Sequence, residues 1–296
     1  MLKEELLMEH VLRPIYQERA SNAETLGIIL VDKKANEANV TDTFDKVLLI
    51  IVSEAEQAMM TKHYTFDNQK AVMHTITEKQ LRKWLLIGSH RRLVGWLFDG
   101  KVLFDRNEFL HTLKMELQAF PFDGRKIKTG IQFAMLIRRY IEGKELFDQK
   151  NYLDAYHHVV ASLHHLARLS VIDSGLYPEV TVWAQVKRFE PAIYKLYEEL
   201  VLSEEPIDKR LELLFLASEF MIHSRTADGA QHILSVMSER DAWTIQQLHE
   251  HEELSNYSKD LEVFIEYLVE RDYIKVEPVM SKNDMIFHRY YKVGNM

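Results

Sequence analysis

Two short apolar runs near the start of the chain define the pattern of its first third. Residues 26–31 read LGIILV, and Lys46–Val52 reads KVLLIIV. Continuous apolar runs bounded by polar segments are typical of strands that are covered on both faces. The sequence predicts two further strands, at residues 70–77 and Lys101–Asp105.

Helical spacing of apolar residues flanks these strands. Residues 2–20 are predicted to form a helix that Pro14 kinks or restarts, because proline removes a backbone donor. A second helix is predicted to begin at Glu78, with Thr77 as its N-cap. Alternation of strands and helices favours an α/β domain over residues 1–120.

The pattern then becomes almost purely helical over residues 121–240. Breaks in helical periodicity are predicted near Gly143, Gly175, Pro206 and Gly229. Short connections between long helices imply antiparallel neighbours, so this region is predicted to be an all-α bundle.

The last part of the chain, residues 241–296, has the element order helix, turn, helix and hairpin. That order is typical of a winged-helix module. The predicted elements are two helices at residues 244–253 and 260–271 and two strands at residues 273–280 and 285–293. The fold expected for the whole chain is therefore a small mixed-sheet domain, a helical bundle and a winged helix.

Composition narrows the classes of protein to consider. The chain has 296 residues, a net charge of −8 and no cysteine, with 47% hydrophobic residues. The absence of cysteine excludes disulfides and thiolate zinc sites, and without a secretory signal a cytoplasmic location is expected. No apolar stretch approaches the roughly 18 residues of a membrane span, so no membrane association is expected.

Candidate chemistry lies at the start of the second apolar run. Asp45 stands immediately before it in TDTFDKVLLIIV, and the first run ends in Asp32-Lys33-Lys34. A carboxylate at a strand edge can hold Mg²⁺ against nucleotide phosphates, and lysines can bind phosphate as point charges. The plainer alternatives are an aspartate that caps nearby backbone amides and lysines of a solvated loop.

The segment TDTFDKVLLIIV, with LGIILV before it and GKVLFDR after it, resembles the nucleotidyltransferase superfamily. With the helical region and the terminal winged helix, the chain resembles the YgxA-type nucleotidyltransferase-like proteins. The resemblance implies a Gly-Ser turn after the first strand that holds a triphosphate. It also implies an Asp-x-Asp pair at the second strand and a third carboxylate from a later strand, which together hold two Mg²⁺ ions.

This sequence departs from that pattern at each point except Asp45. Asp32 and Lys33 occupy the Gly-Ser position, and Val47 stands where the second carboxylate belongs. Asp42 lies three residues before Asp45, so on a regular strand it would face away. The later strand, KAVMHTIT, offers Met73 and His74 in place of an acid. One carboxylate cannot assemble a two-metal clamp, so loss of catalysis is predicted.

Two basic residues and a group of histidines are further candidate ligand contacts. Lys128 and Arg138 flank an apolar run on a predicted helix and could meet a phosphate, as in the resembled enzymes; a solvated face is the plainer alternative. The histidines of AYHHVVASLHHLAR do not have the i, i+3 or i, i+4 spacing of a shared zinc on one helix. They are expected to face the bundle seam or a ligand cleft, with His158 and Arg168 at its polar end.

DNA binding is not expected of the winged helix. Residues 241–296 contain 11 Asp or Glu and 6 Lys or Arg, a net charge of −5. The second helix is predicted to turn Asp260, Glu262, Glu266 and Glu270 outward, and such a face repels phosphate. A structural cap or a protein-docking surface is expected instead.

The favoured function is a nucleotidyltransferase-like protein with a degenerate metal and triphosphate site that retains nucleotide binding or a regulatory role. One alternative is an active enzyme that transfers a nucleoside monophosphate from an NTP, with Mg²⁺, to a small hydroxyl acceptor, using Asp45 with Asp42 or Asp32. Another is a non-enzymatic, transcription-linked adaptor. A homodimer is expected from the resembled architectures.

Overall fold

The described part of the computed structural model covers residues 2–33, 41–66, 69–88, 90, 92–119, 122–179, 181–280 and 286–294. Its first unit, Met1–Pro121, is built on a five-stranded mixed sheet with the order β3-β4-β2-β1-β5. The central pair β2 and β4 is parallel, and the other neighbours are antiparallel. The strands are β1 (Thr25–Asp32), β2 (Lys46–Val52), β3 (Met59–Phe66), β4 (Gln69–Thr77) and β5 (Lys101–Asp105).

The central strands form the core of this unit because helices cover both faces of the sheet. All seven residues of β2 are buried. One face packs against the first helix, where Leu12 joins a cluster with Leu30 and Leu48. On the other face, a Cβ added at Gly100 would lie 2.3 Å from Ile29 Cγ2, so only glycine fits this close turn. The helices are α1 (Leu2–Ser21), α2 (Glu78–Ile87), α3 (Arg92–Asp99) and α4 (Phe109–Ala119).

The strands predicted at Lys46–Val52 and Lys101–Asp105 are confirmed with those bounds, and those predicted at residues 26–31 and 70–77 are slightly longer in the structure. The Thr77 side chain accepts the Gln80 N–H at 3.3 Å and caps α2, as its position before the helix predicts. The sequence did not reveal β3, an edge strand with mostly exposed side chains. An edge strand needs no continuous apolar pattern, because it is not covered on both faces.

In the second unit, Phe122–Met296, the described residues before the terminal domain form five α-helices. They are α5 (Phe122–Asp148), α6 (Tyr152–Asp173), α7 (Val182–Phe189), α8 (Pro191–Leu202) and α9 (Ile207–Met237). The predicted ends at Gly175, which has φ 76°, and at Pro206 are present. The breaks predicted at Gly143 and Gly229 are wrong, because α5 and α9 run through them.

Gly229 serves helix packing rather than chain reversal. A Cβ placed there would lie 2.3 Å from Cγ of Phe133, so α5 and α9 approach each other through the missing side chain. A helix-interior glycine costs up to about 1 kcal/mol relative to alanine, and the close packing of two long helices offsets this cost.

A helix-turn-helix region with a two-stranded hairpin ends the chain. Its elements are α10 (Ile245–Glu250), α11 (Leu261–Glu270), β6 (Ile274–Met280) and β7 (Phe287–Val293). Phe264 of α11 packs edge-on against Phe133 of α5, with ring centroids 5.8 Å apart. The Tyr267 hydroxyl lies 2.9 Å from the Thr226 hydroxyl of α9. The terminal elements therefore share the core of the second unit.

Throughout the residues described above, no helix combines the length and the apolar character that crossing a membrane requires. The chain is thus a mixed-sheet domain, a helical region and a C-terminal helix-turn-helix domain.

Candidate functional site

Asp45 lies where three strand ends of the first unit meet. Its backbone N–H donates to the Lys70 carbonyl at 2.7 Å, and its own carbonyl accepts the Lys33 N–H at 2.9 Å. Its Oδ2 accepts the Lys70 N–H at 2.8 Å. Asp45 therefore ties the start of β2 to β4 through both its backbone and its side chain, which is the capping geometry that the alternative interpretation of this residue expects.

The other two aspartates of the predicted site are each engaged by a cation. Asp32 is paired across the sheet with Lys46 and accepts a hydrogen bond from its ammonium group. That lysine is 6% exposed, so the aspartate balances a largely buried charge. Asp42 has a backbone φ of 59°. Its carboxylate accepts hydrogen bonds from both terminal nitrogens of Arg92, with Nη2 3.0 Å from Oδ1.

Val47, at the position expected for the second carboxylate, lies in the core, and His74, at a position expected for the third, is half-buried. Val47 is 1% exposed and is paired with Val72 of β4. His74, the neighbour of Leu49 in the same parallel pair, stacks on Trp96 of α3 with ring centroids 5.7 Å apart. Burial lowers the pKa of His74, with smaller contributions from His90 and His63. This face of the sheet is covered by α3.

The structure describes one of the two lysines that were predicted to bind a triphosphate after β1. Lys33 is exposed at the end of β1. Lys34 lies outside the described residues. Within the described part of the chain, no group of three or more His, Cys, Asp or Glu side chains is placed to hold a metal ion.

In the second unit, Lys128 and Arg138, the two basic residues predicted as ligand contacts, lie in different surroundings. Arg138 donates its Nε to Asp260 Oδ1 at 2.5 Å, and it also lies 3.4 Å from Glu142. Asp260 is 5% exposed, so its predicted place on the outer face of the last helix is wrong. The pair holds α11 to α5. His158, expected at a polar cleft, lies 3.1 Å from the same Glu142.

Lys128 belongs to a buried polar cluster that the sequence did not define. Its ammonium lies 4.2 Å from the centre of the Tyr177 ring. Gln132, one turn along α5, accepts the Nε of Arg168 at 3.0 Å and lies 3.2 Å from Nδ1 of His165. The signal for this cluster was Arg168, a charged residue within the apolar run of α6.

Burial strongly perturbs the pKa of the lysine in this cluster. Lys128 is 2% exposed and Arg168 is 4% exposed. Burial, with a smaller effect of Arg168, lowers the pKa of Lys128 to about 7. Strongly perturbed titratable groups gather at functional sites more often than elsewhere, so this lysine is a second candidate site.

The acidic face of α11 is engaged within the terminal domain. Glu262 lies 3.0 Å from His249 of α10. Glu266 accepts from Arg289 at 2.9 Å and from the Tyr291 hydroxyl at 3.1 Å. Leu261, Phe264, Ile265 and Leu268 are fully buried, as predicted.

The fold and the sheet geometry define a nucleotidyltransferase-like protein, and comparisons with known proteins agree. Three family models match consecutive parts of the chain: nucleotidyltransferase-like over residues 8–125, YgxA-like substrate binding domain over residues 126–225, and helix-turn-helix domain over residues 231–293. The uncharacterized protein YgxA of Bacillus subtilis (strain 168) is 47% identical over 284 residues, which cover 96% of this chain and 97% of that protein.

A solved structure extends the similarity to three dimensions. The crystal structure of a nucleotidyltransferase-like protein from Exiguobacterium sibiricum 255-15 matches with a TM-score of 0.82 and 37% identity, covering 97% of this chain and 99% of that one. The chain belongs to the YgxA family.

Proposed function

We propose that this protein is a nucleotidyltransferase-like protein whose sheet site has lost two-metal catalysis and which retains nucleotide binding or a regulatory role. The observation that carries the proposal is the hydrogen bond from the Lys70 N–H to Oδ2 of Asp45 at 2.8 Å. The one carboxylate that matches the superfamily pattern has a structural partner within the sheet.

The available donors do not fit a pair of magnesium ions. Mg²⁺ takes oxygen ligands in near-ideal octahedral geometry, and a two-metal site needs carboxylates that converge on both ions. Here Val47 and His74 stand at the positions of the second and third acids, while Asp32 and Asp42 each neutralise a cation. Recruiting either aspartate would leave Lys46 or Arg92 without its counter-charge.

Calorimetry and a turnover assay test this proposal together. We expect heat with at least one of ATP, GTP and CTP in the presence of Mg²⁺, and no release of pyrophosphate with small hydroxyl acceptors. Absence of heat with all three nucleotides at high micromolar protein would remove nucleotide binding from the proposal.

The matched variant is Asp45→Asn. Its amide oxygen can still accept the Lys70 N–H, so the strand ends stay joined while the negative charge is lost. We expect nucleotide binding to persist in this variant. Pyrophosphate release by the wild-type protein that Asp45→Asn abolishes would instead establish the active transferase, with Asp45 as a metal ligand.

We also propose that the helix-turn-helix domain does not bind DNA and acts as a structural cap or protein-docking surface. The support is the engagement of its charges: Arg289 pairs with Glu266, and Lys292 pairs with Glu277 at 2.6 Å. Phosphate contacts by Lys and Arg supply most non-specific DNA affinity. Binding of random duplex DNA at low ionic strength, measured by fluorescence anisotropy, would refute this and favour the adaptor hypothesis.

A cytoplasmic location and a homodimeric state complete the proposal. The absence of cysteine from all 296 residues supports a reducing compartment. Light scattering of the purified chain tests the oligomeric state, and a monomeric mass at micromolar concentration would contradict the dimer.

A further inference from the structure

A groove of about 340 Å³ lies between α8 and the first half of α9. Its walls are mainly apolar, and the apolar residues that line it are Leu196, Leu200, Leu213, Leu214 and Ala217. Binding sites are typically concave surfaces of this size or larger, with mostly apolar walls and a few polar groups. The groove therefore has the size and lining of a binding site.

The apolar surface continues outside the groove along α9. Leu213, Leu216 and Phe220 are 64%, 63% and 76% exposed. Their spacing of three and four residues places them on one face of the helix, opposite the face that buries Leu211 and Ile222. A surface helix normally carries polar residues on its outer face. A continuous apolar stripe in this position indicates an interaction surface.

Acidic side chains border this apolar surface. The exposed glutamates next to it in the chain are Glu198, Glu199, Glu204, Glu205 and Glu212. No ion pair joins any of them to another described residue. Residues 191–220 contain 7 Asp or Glu and 3 Lys or Arg, a net charge of −4. The surroundings of the groove therefore favour a positively charged partner.

The basic residue that lines the groove does not neutralise these glutamates. Arg210 donates its Nη1 to the carbonyl of Leu200 at 2.8 Å, so its guanidinium is held at the end of α8. Among the described residues it makes no ion pair with a carboxylate. The charge of the glutamates thus remains available to a partner.

Shape and charge together define one kind of partner. A groove between two helices accepts an amphipathic helix, whose apolar side chains recur at i, i+3, i+4 and i+7. Those side chains would fill the groove and cover Leu216 and Phe220, while basic residues on either side would pair with the glutamates. A second copy of this chain fits less well, because a symmetric contact brings the same acidic surface against itself.

We propose that the groove between α8 and α9 is a docking site for a basic amphipathic helix of a protein partner. The site uses residues of the second unit alone. Failure of this proposal would therefore leave the proposed nucleotide binding at Asp45 untouched, and the reverse also holds.

Fluorescence anisotropy of the full chain with a labelled synthetic helix tests the apolar part of the site. The probe has about four helical turns, with leucine at the i, i+3, i+4 and i+7 positions and lysine elsewhere. We expect Leu213→Ser and Phe220→Ser each to weaken the Kd about 10-fold or more. Both side chains are exposed, so the variants should fold.

The control variant is Leu153→Ser, which changes a leucine of α6 that is 78% exposed. It should leave the Kd unchanged. Equal affinity of the wild type, Leu213→Ser and Phe220→Ser for the probe would overturn the proposal.

Paired charge variants test the acidic part of the site. We expect Glu199→Gln combined with Glu205→Gln to weaken binding of the lysine probe by about 5-fold or more. Glu54→Gln combined with Glu56→Gln removes the same charge from an exposed segment of the first unit and should have no effect. Equal losses in the two double variants would show non-specific attraction and overturn the site. A probe with glutamate in place of lysine that binds as tightly would also overturn it.

Light scattering distinguishes this partner from a second copy of the chain. We expect the wild type and Leu213→Ser to have the same mass at micromolar concentration, whatever that mass is. A wild-type dimer that Leu213→Ser converts to a monomer would show that the chain covers this surface itself, and would overturn the proposal of a separate partner.

Discussion

Replacement of Lys128 by methionine should change the pH dependence of stability. The pKa of this lysine falls from 10.5 to about 7 in the folded protein. Between these values the unfolded chain binds more protons, so stability rises with pH. With each pKa unit worth about 1.36 kcal/mol, we expect this one residue to raise the free energy of unfolding by about 2 kcal/mol from pH 7 to pH 9.

Urea denaturation followed by circular dichroism at pH 7, 8 and 9 measures this effect. In Lys128→Met the rise should be smaller than in the wild type by about 2 kcal/mol. Lys144→Met, on the exposed side of the same helix, should follow the wild type. Parallel pH profiles for the wild type and Lys128→Met would refute the inference that a lysine with a depressed pKa is buried here.

Substitutions at Asp45, Arg138 and Gly229 probe the contacts described above. Asp45→Ala should lower the free energy of unfolding by about 1–2 kcal/mol and Asp45→Asn by much less; equal losses in urea melts would argue against the capping role. Arg138→Met should cost about 3 kcal/mol because it leaves Asp260 buried without its cation; a shift in the thermal midpoint no larger than that of Lys144→Met would contradict this. Gly229→Ala should cost about 1–3 kcal/mol through overpacking against Phe133, and combination with Phe133→Leu should recover part of the loss unless the helices are spaced more widely than described.

The central strands could be predicted from sequence because their pattern is local. An apolar run such as Lys46–Val52 needs cover on both faces, whichever elements supply it. The exposed strand β3 carries no such requirement, so its existence depends on pairing with β4. Pairing is a non-local property, and a single sequence does not display it.

The glycines show how a local rule fails for a tertiary reason. Gly175 and Gly229 look alike in sequence, and both suggest the end of a helix. Gly175 has a positive φ and follows a helix, whereas Gly229 lies inside α9, opposite Phe133. What distinguishes them is a neighbouring helix about 100 residues away along the chain, which only the folded structure brings close.

The candidate site likewise has some features that the sequence predicted and others that only the structure reveals. The absence of acids at Val47 and His74 could be read from the sequence, because the resemblance places carboxylates on those strands and strand alternation fixes which positions share a face. The partners of Asp45 and Arg138 were not visible, since a backbone amide of β4 and a distant aspartate supply them. The placement of Lys128 beside Arg168 likewise depends on how α5 meets α6.

The attachment of α11 to α5 and α9 has a practical consequence for dissecting this protein. A fragment of residues 241–296 alone would expose the aromatic side chains of Phe264 and Tyr267. Its Asp260 would also lack the guanidinium of Arg138, with which it pairs in the intact chain. Such a fragment would be prone to self-association. Any binding affinity measured with it would include the apolar surface that packs against α5 and α9 in the intact chain. Intact chains with point substitutions are the sound way to assign a role to the tail.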